Sequence, residues 1–375
     1  MSNNQLLGHF SDYFNACISA KEKEQIGLEL ECEGLKLPNP ISYWEVHSEG
    51  SLKPKSPYSA KEYVLMNPMN YSKALTALEY LSDSFKQSGT LLNESNRTSV
   101  HVHFNASMFT YKDLAQILCA YYLIEDVLIA YCGEERVGNL FALSATDSSK
   151  IVTNVKRMFE SISTSKKFYI VLEQIFSDQY RYAALNLSAI KKLGSIEFRA
   201  MRMPVIEKHY DNTTIKIWTN ILYNLVTKAL SYQTPDTMLN ELSKLSYDSL
   251  LYTLVGPHAA DLLALNIPHK HMINRGFIIS NSISSVCNWP EEKESPHQKA
   301  SQAKLDKKYL KVKVDKKKAQ VPPPLPPAYN LSTDPHGPIL TSSTSASINE
   351  LYQWVVSSQP LTFSLNEITD EDDDD

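Results

Sequence analysis

Residues 25–33, Gln25-Ile26-Gly27-Leu28-Glu29-Leu30-Glu31-Cys32-Glu33, alternate between apolar side chains and glycine or glutamate. Successive side chains of a β-strand point to opposite faces of its sheet. A strand over this stretch therefore has one apolar face for a core and one face on which Glu29 and Glu31 are neighbours. Like charges this close repel each other, so an ordinary water-exposed strand would carry Thr, Lys or Gln at these positions.

Three further segments show the same division into an apolar and a polar face. Their polar positions are His101, His103 and Asn105 in residues 99–105, Glu197 and Arg199 in residues 195–201, and Glu62 in residues 60–66. A solvated sheet face is the ordinary explanation for any one of these strands. Paired glutamates and alternate histidines are scarce on such faces, however, which favours a functional site.

If the four strands share a sheet, their acidic and imidazole side chains converge on one face. The converging residues are Glu29, Glu31, Glu62, His101 and Glu197. Carboxylates that lie so close together need a cation or protons between them. An oxygen-rich cluster suits Mg²⁺, and a minority histidine is compatible with Mn²⁺. Together with Arg97, Arg136 and Arg199, such a cluster could hold a polyphosphate.

Apolar residues at helical spacing predict helices among these strands. The predicted helices cover Ser72–Ser88, Tyr111–Tyr131 and Thr213–Leu230, with two more in residues 235–265, the first from Pro235. Glu125 and Asp126 lie inside the most apolar run, Leu114–Tyr131. This run therefore predicts a buried helix rather than a membrane span.

Composition excludes several classes of protein. A hydrophobic fraction of 43% and an aromatic fraction of 10% exclude a wholly disordered chain. The 37 basic and 42 acidic residues give no overall excess of positive charge, so the composition does not indicate a nucleic-acid-binding protein. Five scattered cysteines without a CxxC pair argue against disulfides and a zinc ribbon. The first ten residues lack a secretory pattern, and the sequence predicts a cytoplasmic protein.

The composition changes near residue 290. Beyond it lie a Lys-rich stretch over residues 299–318, the proline run Pro322–Pro327 and an acidic end with seven acids in residues 367–375. We expect residues 291–375 to be a largely disordered tail, interrupted by a short helix near residues 347–357. The tail is a candidate for binding a protein partner, although a solvated linker is the simpler interpretation of the prolines.

Several common catalytic patterns are absent from the sequence. There is no GxxxxGK[ST] and no GxGxxG, so a P-loop or a Rossmann nucleotide site is not expected. A GxSxG elbow for serine hydrolysis is missing as well.

The motifs in order resemble those of the amidoligases, a family of the glutamine synthetase-like carboxylate–amine ligase superfamily. The resembling stretches are Gly27–Glu31, Trp44–Val46 with Glu49–Leu52, Glu62–Val64 with Asn67–Pro68, His101–His103, Arg136–Asn139, Leu185–Leu187 and Ile196–Arg199. Each motif is weak alone, but seven in family order across residues 26–200 are specific. Two positions depart from the family pattern, because Glu49 replaces an Asp and Asn67 replaces a Ser or Thr.

The resemblance implies an α+β fold with a curved, mostly antiparallel sheet that binds ATP and Mg²⁺ on its concave face and packs helices on the other. It implies a catalytic core over residues 1–205. Beyond about residue 205 the resemblance fades, and the sequence itself predicts a helical part of the same domain over residues 206–290. The implied roles are metal ligands for Glu29, Glu31, Glu62, His101 and Glu197; nucleotide contacts for His103, Arg199 and Arg97; catalytic roles for Arg136, Arg199 and Glu49; and substrate contacts for Asn186 and Asn139.

The family's chemistry implies amide or isopeptide bond formation through an acyl phosphate, with small-molecule or peptide carboxylates and amines as substrates. No membrane and no specific nucleic acid is expected as a partner, and an oligomer is compatible with the sequence. Three other functions stay open: a guanidino kinase-like phosphotransferase of the same fold, a metal-dependent hydrolase or oxygenase built on the two histidines, and a non-catalytic adaptor that acts through its tail. Too many carboxylates count against the hydrolase.

Overall fold

Strand β1 (Ile26–Leu35) is the central element of the fold, because three other strands pair with it. The structure is a computed structural model and describes residues 25–39, 42–48, 50–106, 109–139, 142–164 and 182–286. The other strands of its seven-stranded sheet are β2 (Trp44–His47), β3 (Ser59–Leu65), β4 (Leu91–Asn93), β5 (Val100–Asn105), β6 (Leu185–Asn186) and β7 (Ser195–Phe198). The order is β2-β3-β1-β5-β7-β6, with β4 pairing with β1, and these pairings are antiparallel.

The alternation read from the sequence separates the two faces of this sheet. Ile26, Leu28, Leu30 and Cys32 of β1 are at most 1% exposed and belong to the hydrophobic core. The intervening positions point to the opposite face, where the polar residues of β5 and β7 lie in register with them. The predicted mixed α/β architecture with a mostly antiparallel sheet is therefore confirmed.

Two helices, α1 (Tyr71–Ser88) and α2 (Tyr111–Tyr131), cover the apolar face of the sheet. The indole nitrogen of Trp44 in β2 donates to the carbonyl of Ala77 in α1 at 2.9 Å. The ring of Tyr121 in α2 packs edge-on against Phe198 of β7, with ring centroids 5.2 Å apart. The core lies between these helices and the sheet, so the polar face lies on the other side.

Helix α2 begins with a capping box, in which Thr110 and Asp113 each accept a hydrogen bond from the other's backbone N–H. The helix is long and apolar enough to cross a membrane, but 83% of its most apolar window is buried inside the protein. A helix that is apolar on all sides is expected in the core of a large domain. The buried helix predicted over this run is confirmed.

The remaining elements follow one another mostly as helices. They are the 3₁₀ turn Glu134–Arg136, α3 (Ser149–Thr164), α4 (Ala189–Leu193), the hairpin β8 (Val205–Ile206) and β9 (His209–Tyr210), α5 (Asn212–Leu230), α6 (Pro235–Leu242), α7 (Tyr247–Val255), the 3₁₀ turn Gly256–His258, α8 (Ala259–Leu263) and α9 (His269–Ser284).

The prediction of two helices in residues 235–265 was wrong, because three lie there. Gly256 adopts a left-handed φ of 66° and Pro257 lacks a backbone N–H, so α7 ends at this point. The tail of residues 291–375, with its predicted helix, lies outside the described residues.

Helices α2 and α9 pack with an unusually close backbone approach. A Cβ atom built on Gly276 of α9 would lie 2.1 Å from the carbonyl oxygen of Leu123 in α2. One turn further along, the Ser280 hydroxyl donates to the carbonyl of Cys119 at 2.8 Å. Small side chains on α9 therefore let the two backbones touch.

A buried acid in α2 makes stability depend on pH. Burial raises the pKa of Glu125 well above its usual value of 4.5, although its carboxylate accepts a hydrogen bond from the Ala145 N–H at 2.7 Å. The folded protein therefore keeps this proton to a higher pH than the unfolded chain does. We expect the free energy of unfolding to fall as pH rises above about 4.5 and through the raised pKa.

The variant Glu125→Gln is expected to melt a few degrees higher than the parent at pH 8, because it has no charge to bury and keeps an acceptor for Ala145. At pH 4.5 the two proteins should melt at nearly the same temperature. Thermal melts from pH 4.5 to 8 measure this, with Glu241→Gln on an exposed position of α6 as the control. A difference in melting temperature between parent and Glu125→Gln that stays the same from pH 4.5 to pH 8 would contradict the raised pKa of Glu125.

Candidate metal and substrate site

The register of three neighbouring strands brings four polar side chains together on the polar face. Glu29 of β1 lies opposite His101 of β5, and Gly27 lies opposite His103. His103 in turn lies opposite Glu197 of β7. The side chains of these residues alternate with core residues, so the burial of the apolar face fixes their direction. We call Glu29, His101, His103 and Glu197 the carboxylate–histidine cluster.

Both histidines of the cluster contact both carboxylates. His101 Nδ1 lies 3.1 Å from Glu29 Oε2 and 3.2 Å from Glu197 Oε1. His103 Nε2 lies 3.2 Å from Glu29 Oε1 and 3.9 Å from Glu197 Oε1. The histidines and Glu197 are buried, whereas the Glu29 side chain is 20% exposed. The cluster therefore opens toward solvent at Glu29.

Hydroxyl and amide groups hold His101, His103 and Glu197 of the cluster in place. Ser99 Oγ lies 2.7 Å from His101 Nε2, and Ser195 Oγ lies 3.0 Å from His103 Nδ1. Asn186 of β6 donates from Nδ2 to Glu197 Oε2 at 2.5 Å. The amide oxygen of Asn186 accepts from Ser188 N–H at 2.9 Å, which fixes the orientation of this amide. The resemblance implied a substrate contact for Asn186, and the structure places it against Glu197.

Opposite charges in the cluster stabilise its ionised form. Burial alone would raise the pKa of Glu29, but His103 and His101 outweigh it and hold that pKa well below its usual value. The pKa of Glu197 is lowered in the same way, because His101, His103 and Arg199 outweigh burial. Burial would lower the pKa of His103, yet the two carboxylates raise it. The carboxylates are therefore anionic at neutral pH.

The donor set fits a divalent cation. Glu29, His103 and Glu197 each offer one ligand atom, and these atoms lie within 4.8 Å of one another. His103 Nε2 is buried and points at the two carboxylates, and it has no hydrogen-bond partner of good geometry among the described residues. A buried nitrogen that lacks a hydrogen-bond partner and faces anionic oxygens is what a coordinating imidazole looks like in the absence of its ion. Two carboxylates with imidazole suit Mg²⁺ and Mn²⁺.

A second pair of carboxylates lies next to the cluster on the same face. Glu31 of β1 pairs in register with Glu62 of β3. Glu31 is 8% exposed and accepts a hydrogen bond from Ser99, the serine that also contacts His101. Ser99 therefore links this carboxylate pair to the carboxylate–histidine cluster.

The three predicted arginines occupy different environments. Arg199 pairs with Glu197 of the cluster. Arg136 is 1% exposed, and its Nη2 donates to the carbonyl of Thr98 at 2.7 Å, so it lies beside the start of β5. Burial lowers the pKa of Arg136, and its Nε has no hydrogen-bond partner among the described residues. Arg97 is exposed and donates to the carbonyl of Ser51 at 3.3 Å instead of contacting the cluster.

The roles of two further residues, Asn139 and Glu49, stay predictions. Asn139 donates from its side chain to the carbonyl of Glu135 in its own loop, at 3.0 Å. Glu49 lies outside the described residues. The sequence reasoning missed Ser99, Ser195 and the buried Glu33, which accepts hydrogen bonds from Asn93 and Ser95 at 3.2 Å. All three occupy polar-face positions, so the alternation itself was the signal for them.

The comparison with known protein families gives one match. Residues 41–221, just under half of the chain, match the family described as "putative amidoligase enzyme". This match confirms the family resemblance read from the sequence motifs. It begins after β1, so it covers β5 and β7 of the cluster but not Glu29. A comparison with curated proteins gives no match.

Proposed function

Because residues 41–221 match the amidoligase family, we propose that the protein is an ATP- and Mg²⁺-dependent carboxylate–amine ligase with a glutamine synthetase-like fold. It joins a carboxylate to an amine as an amide or isopeptide bond. The observation that carries the proposal is the buried carboxylate–histidine cluster on the polar face of the sheet. Its substrates are small molecules or peptides, and the reaction takes place in the cytoplasm.

The proposed reaction has two steps that balance. An oxygen of the substrate carboxylate attacks the γ-phosphorus of ATP, and ADP leaves. The amine nitrogen then attacks the carbonyl carbon of the acyl phosphate, inorganic phosphate leaves, and the nitrogen loses a proton. Phosphorylation is needed because a carboxylate oxygen is a poor leaving group, whereas phosphate is a good one.

The chain's own residues supply binding and electrostatic stabilisation for these steps. Glu29, Glu197 and a histidine of the cluster would hold the metal, with Glu31 and Glu62 beside them. A bound Mg²⁺ supplies positive charge that neutralises the transferring phosphoryl group. Arg199 lies beside Glu197, and its buried Nε has no hydrogen-bond partner within the part of the chain that the structure describes, so it is well placed to contact a phosphate or carboxylate. Arg136 contributes positive potential from its buried position.

The proposal is tested by ADP release from the purified full chain with ATP and Mg²⁺ across pooled amino acids and short peptides. A ligase releases ADP only when an acid and an amine are both present, and it forms a product with their combined mass less one water. A kinase of the same fold releases ADP with one acceptor and leaves a phosphorylated product. ADP release that is absent in every pool, or unchanged in Glu29→Ala, would contradict catalysis at this cluster and favour an adaptor.

A further inference from the structure

Arg136 lies too deep in the protein to contact a substrate or a phosphate. The family resemblance implies a catalytic role for it, but the whole residue is only 1% exposed, and its Nε is buried as well. A side chain that transfers a proton to a ligand, or holds a ligand's charge, must come within hydrogen-bond reach of it. Arg136 can therefore act on the candidate site only through other residues.

The guanidinium of Arg136 joins two backbone segments at one end of the sheet. Its Nη2 donates to the carbonyl of Thr98, two residues before β5, at 2.7 Å, and to the carbonyl of Met201, after β7, at 3.5 Å. The same segments also pair directly, since the Val100 N–H donates to the Met201 carbonyl at 2.9 Å. The guanidinium thus adds side-chain donors where the pairing of β5 with the chain after β7 comes to its end.

Ser99 follows Thr98 directly, and its position determines that of two side chains on the polar face. Ser99 Oγ lies 2.7 Å from His101 Nε2 and donates to the carboxylate of Glu31. The Ser99 carbonyl also accepts from the Glu31 N–H at 2.9 Å. A hydroxyl with two hydrogen bonds tolerates little displacement, because such bonds weaken steeply as their angles and distances depart from the optimum. A group that fixes the backbone at Ser99 therefore also fixes Glu31 and His101.

The turn that carries Arg136 is attached to the core. The 3₁₀ turn Glu134–Arg136 follows the buried helix α2 after two residues, and the Arg136 N–H donates to the Gly133 carbonyl at 2.9 Å. Glu135 in this turn forms an ion pair with Arg202, the residue after Met201. The turn thus contacts the sheet at two neighbouring points, and Arg136 links the polar face to a helix whose position is set by core packing.

We propose that Arg136 is a positioning residue, which acts on the candidate site through Ser99. By holding the carbonyl that precedes Ser99 it orients the serine hydroxyl, and with it Glu31 and His101. Arginine suits this role because its planar guanidinium presents several donors in a fixed geometry, whereas lysine is a point charge on a flexible stem. The inference deepens the proposed function, and only its effect on reaction rates rests on that function.

The first test needs no turnover and uses the ligand-free full chain made with ¹⁵N-histidine. Nuclear magnetic resonance of the histidine rings reports the hydrogen bond at His101 Nε2, and the His101 signals are identified by their absence in His101→Gln. Ser99→Ala removes that bond and should move these signals. We expect Arg136→Lys to move them in the same direction. The signals of His103 should not change, because that ring contacts Ser195 instead, at 3.0 Å.

The control for this test is Arg157→Lys, an exposed arginine of α3, which should leave both rings unchanged. His101 signals in Arg136→Lys that coincide with those of the parent would overturn the positioning role. Shifts of equal size at His101 and His103 would overturn it too, because they would report a general change of the sheet.

A second measurement needs no substitution, so it does not depend on whether a variant folds. In the parent protein made with ¹⁵N-arginine, the Nη2 protons of Arg136 should exchange with solvent at least about tenfold more slowly than the guanidinium protons of Arg97. Arg97 is the exposed reference, because it also donates to a backbone carbonyl, that of Ser51. Exchange at Arg136 as fast as at Arg97 would overturn the inference.

Rates of ADP release test whether Arg136 acts through Ser99. Arg136→Lys should slow the reaction about tenfold or more in the parent. In Ser99→Ala it should slow the reaction less than about twofold further, because the serine that it positions is gone. Equal slowing in both backgrounds would indicate direct contact with the reacting groups and would overturn the inference. A complete absence of ADP release would contradict the proposed function alone, since both resonance measurements are made without turnover.

Discussion

Replacing Gly276 with alanine is expected to prevent the chain from accumulating as folded protein. The new methyl group would lie 2.1 Å from the Leu123 carbonyl oxygen and 2.6 Å from its carbonyl carbon. Both atoms belong to the backbone of α2, which cannot move aside without shifting a helix of the core. We expect a loss of about 4 kcal/mol or more in the free energy of unfolding. Soluble yield and thermal melting of the purified protein measure it.

The direction of this effect separates close packing from helix propensity. At an exposed helical position, alanine is more stabilising than glycine by about 1 kcal/mol. Asn281→Ala in the same helix is the control, because Asn281 is exposed and should tolerate the change. If Gly276→Ala melted at or above the temperature of the parent, the close approach of α2 and α9 would be wrong.

Glu197→Gln is expected to lower the rate of ADP release and amide formation by at least about 100-fold. Glutamine keeps the shape of the side chain and an acceptor for Asn186, but it removes the negative charge that faces His101, His103 and Arg199. Loss of that charge weakens metal binding and leaves Arg199 without its partner. Initial rates at saturating ATP and titration of the variant with Mn²⁺ measure the two effects.

The matched control for this variant is Glu79→Gln, an acid on α1 that pairs with Lys216 and is 55% exposed. We expect the control to keep the parent rate. Circular dichroism at the assay temperature should show Glu197→Gln folded, because the change is isosteric. A folded variant with full activity would mean that the reaction takes place elsewhere.

Much of the candidate site could be predicted, because the alternation of apolar and polar residues along each strand determines which side chains share a face. Once residues 25–33, 99–105 and 195–201 are recognised as strands, burial of their apolar face fixes where Glu29, His101 and Glu197 point. The same alternation includes Ser99 and Ser195, but a lone serine at a polar-face position has no distinctive chemistry until its partner is known. Their contacts with the histidines became visible only from the register between strands that lie far apart in the chain.

The parts that could not be predicted depend on tertiary contacts. The position of the Arg136 guanidinium depends on hydrogen bonds to the carbonyl groups of Thr98 and Met201. No local sequence pattern places these groups beside it. The close approach at Gly276 is equally hidden, since a glycine in a helical pattern ordinarily indicates only a weaker helix. Glu125 was correctly expected inside a buried helix, but the hydrogen bond that its carboxylate accepts comes from Ala145, twenty residues further along the chain.

The position of β1 between β3 and β5 has a consequence for the response of the protein to its ligands. The backbone that carries Glu29 and Glu31 is hydrogen-bonded on both edges, so the fold itself fixes the positions of these acids on the polar face. A cation that binds to acids held in this way binds the folded chain in preference to the unfolded chain, so site occupancy and melting temperature rise together. Thermal shift screening with ions and nucleotides is therefore a direct route to what this surface accepts.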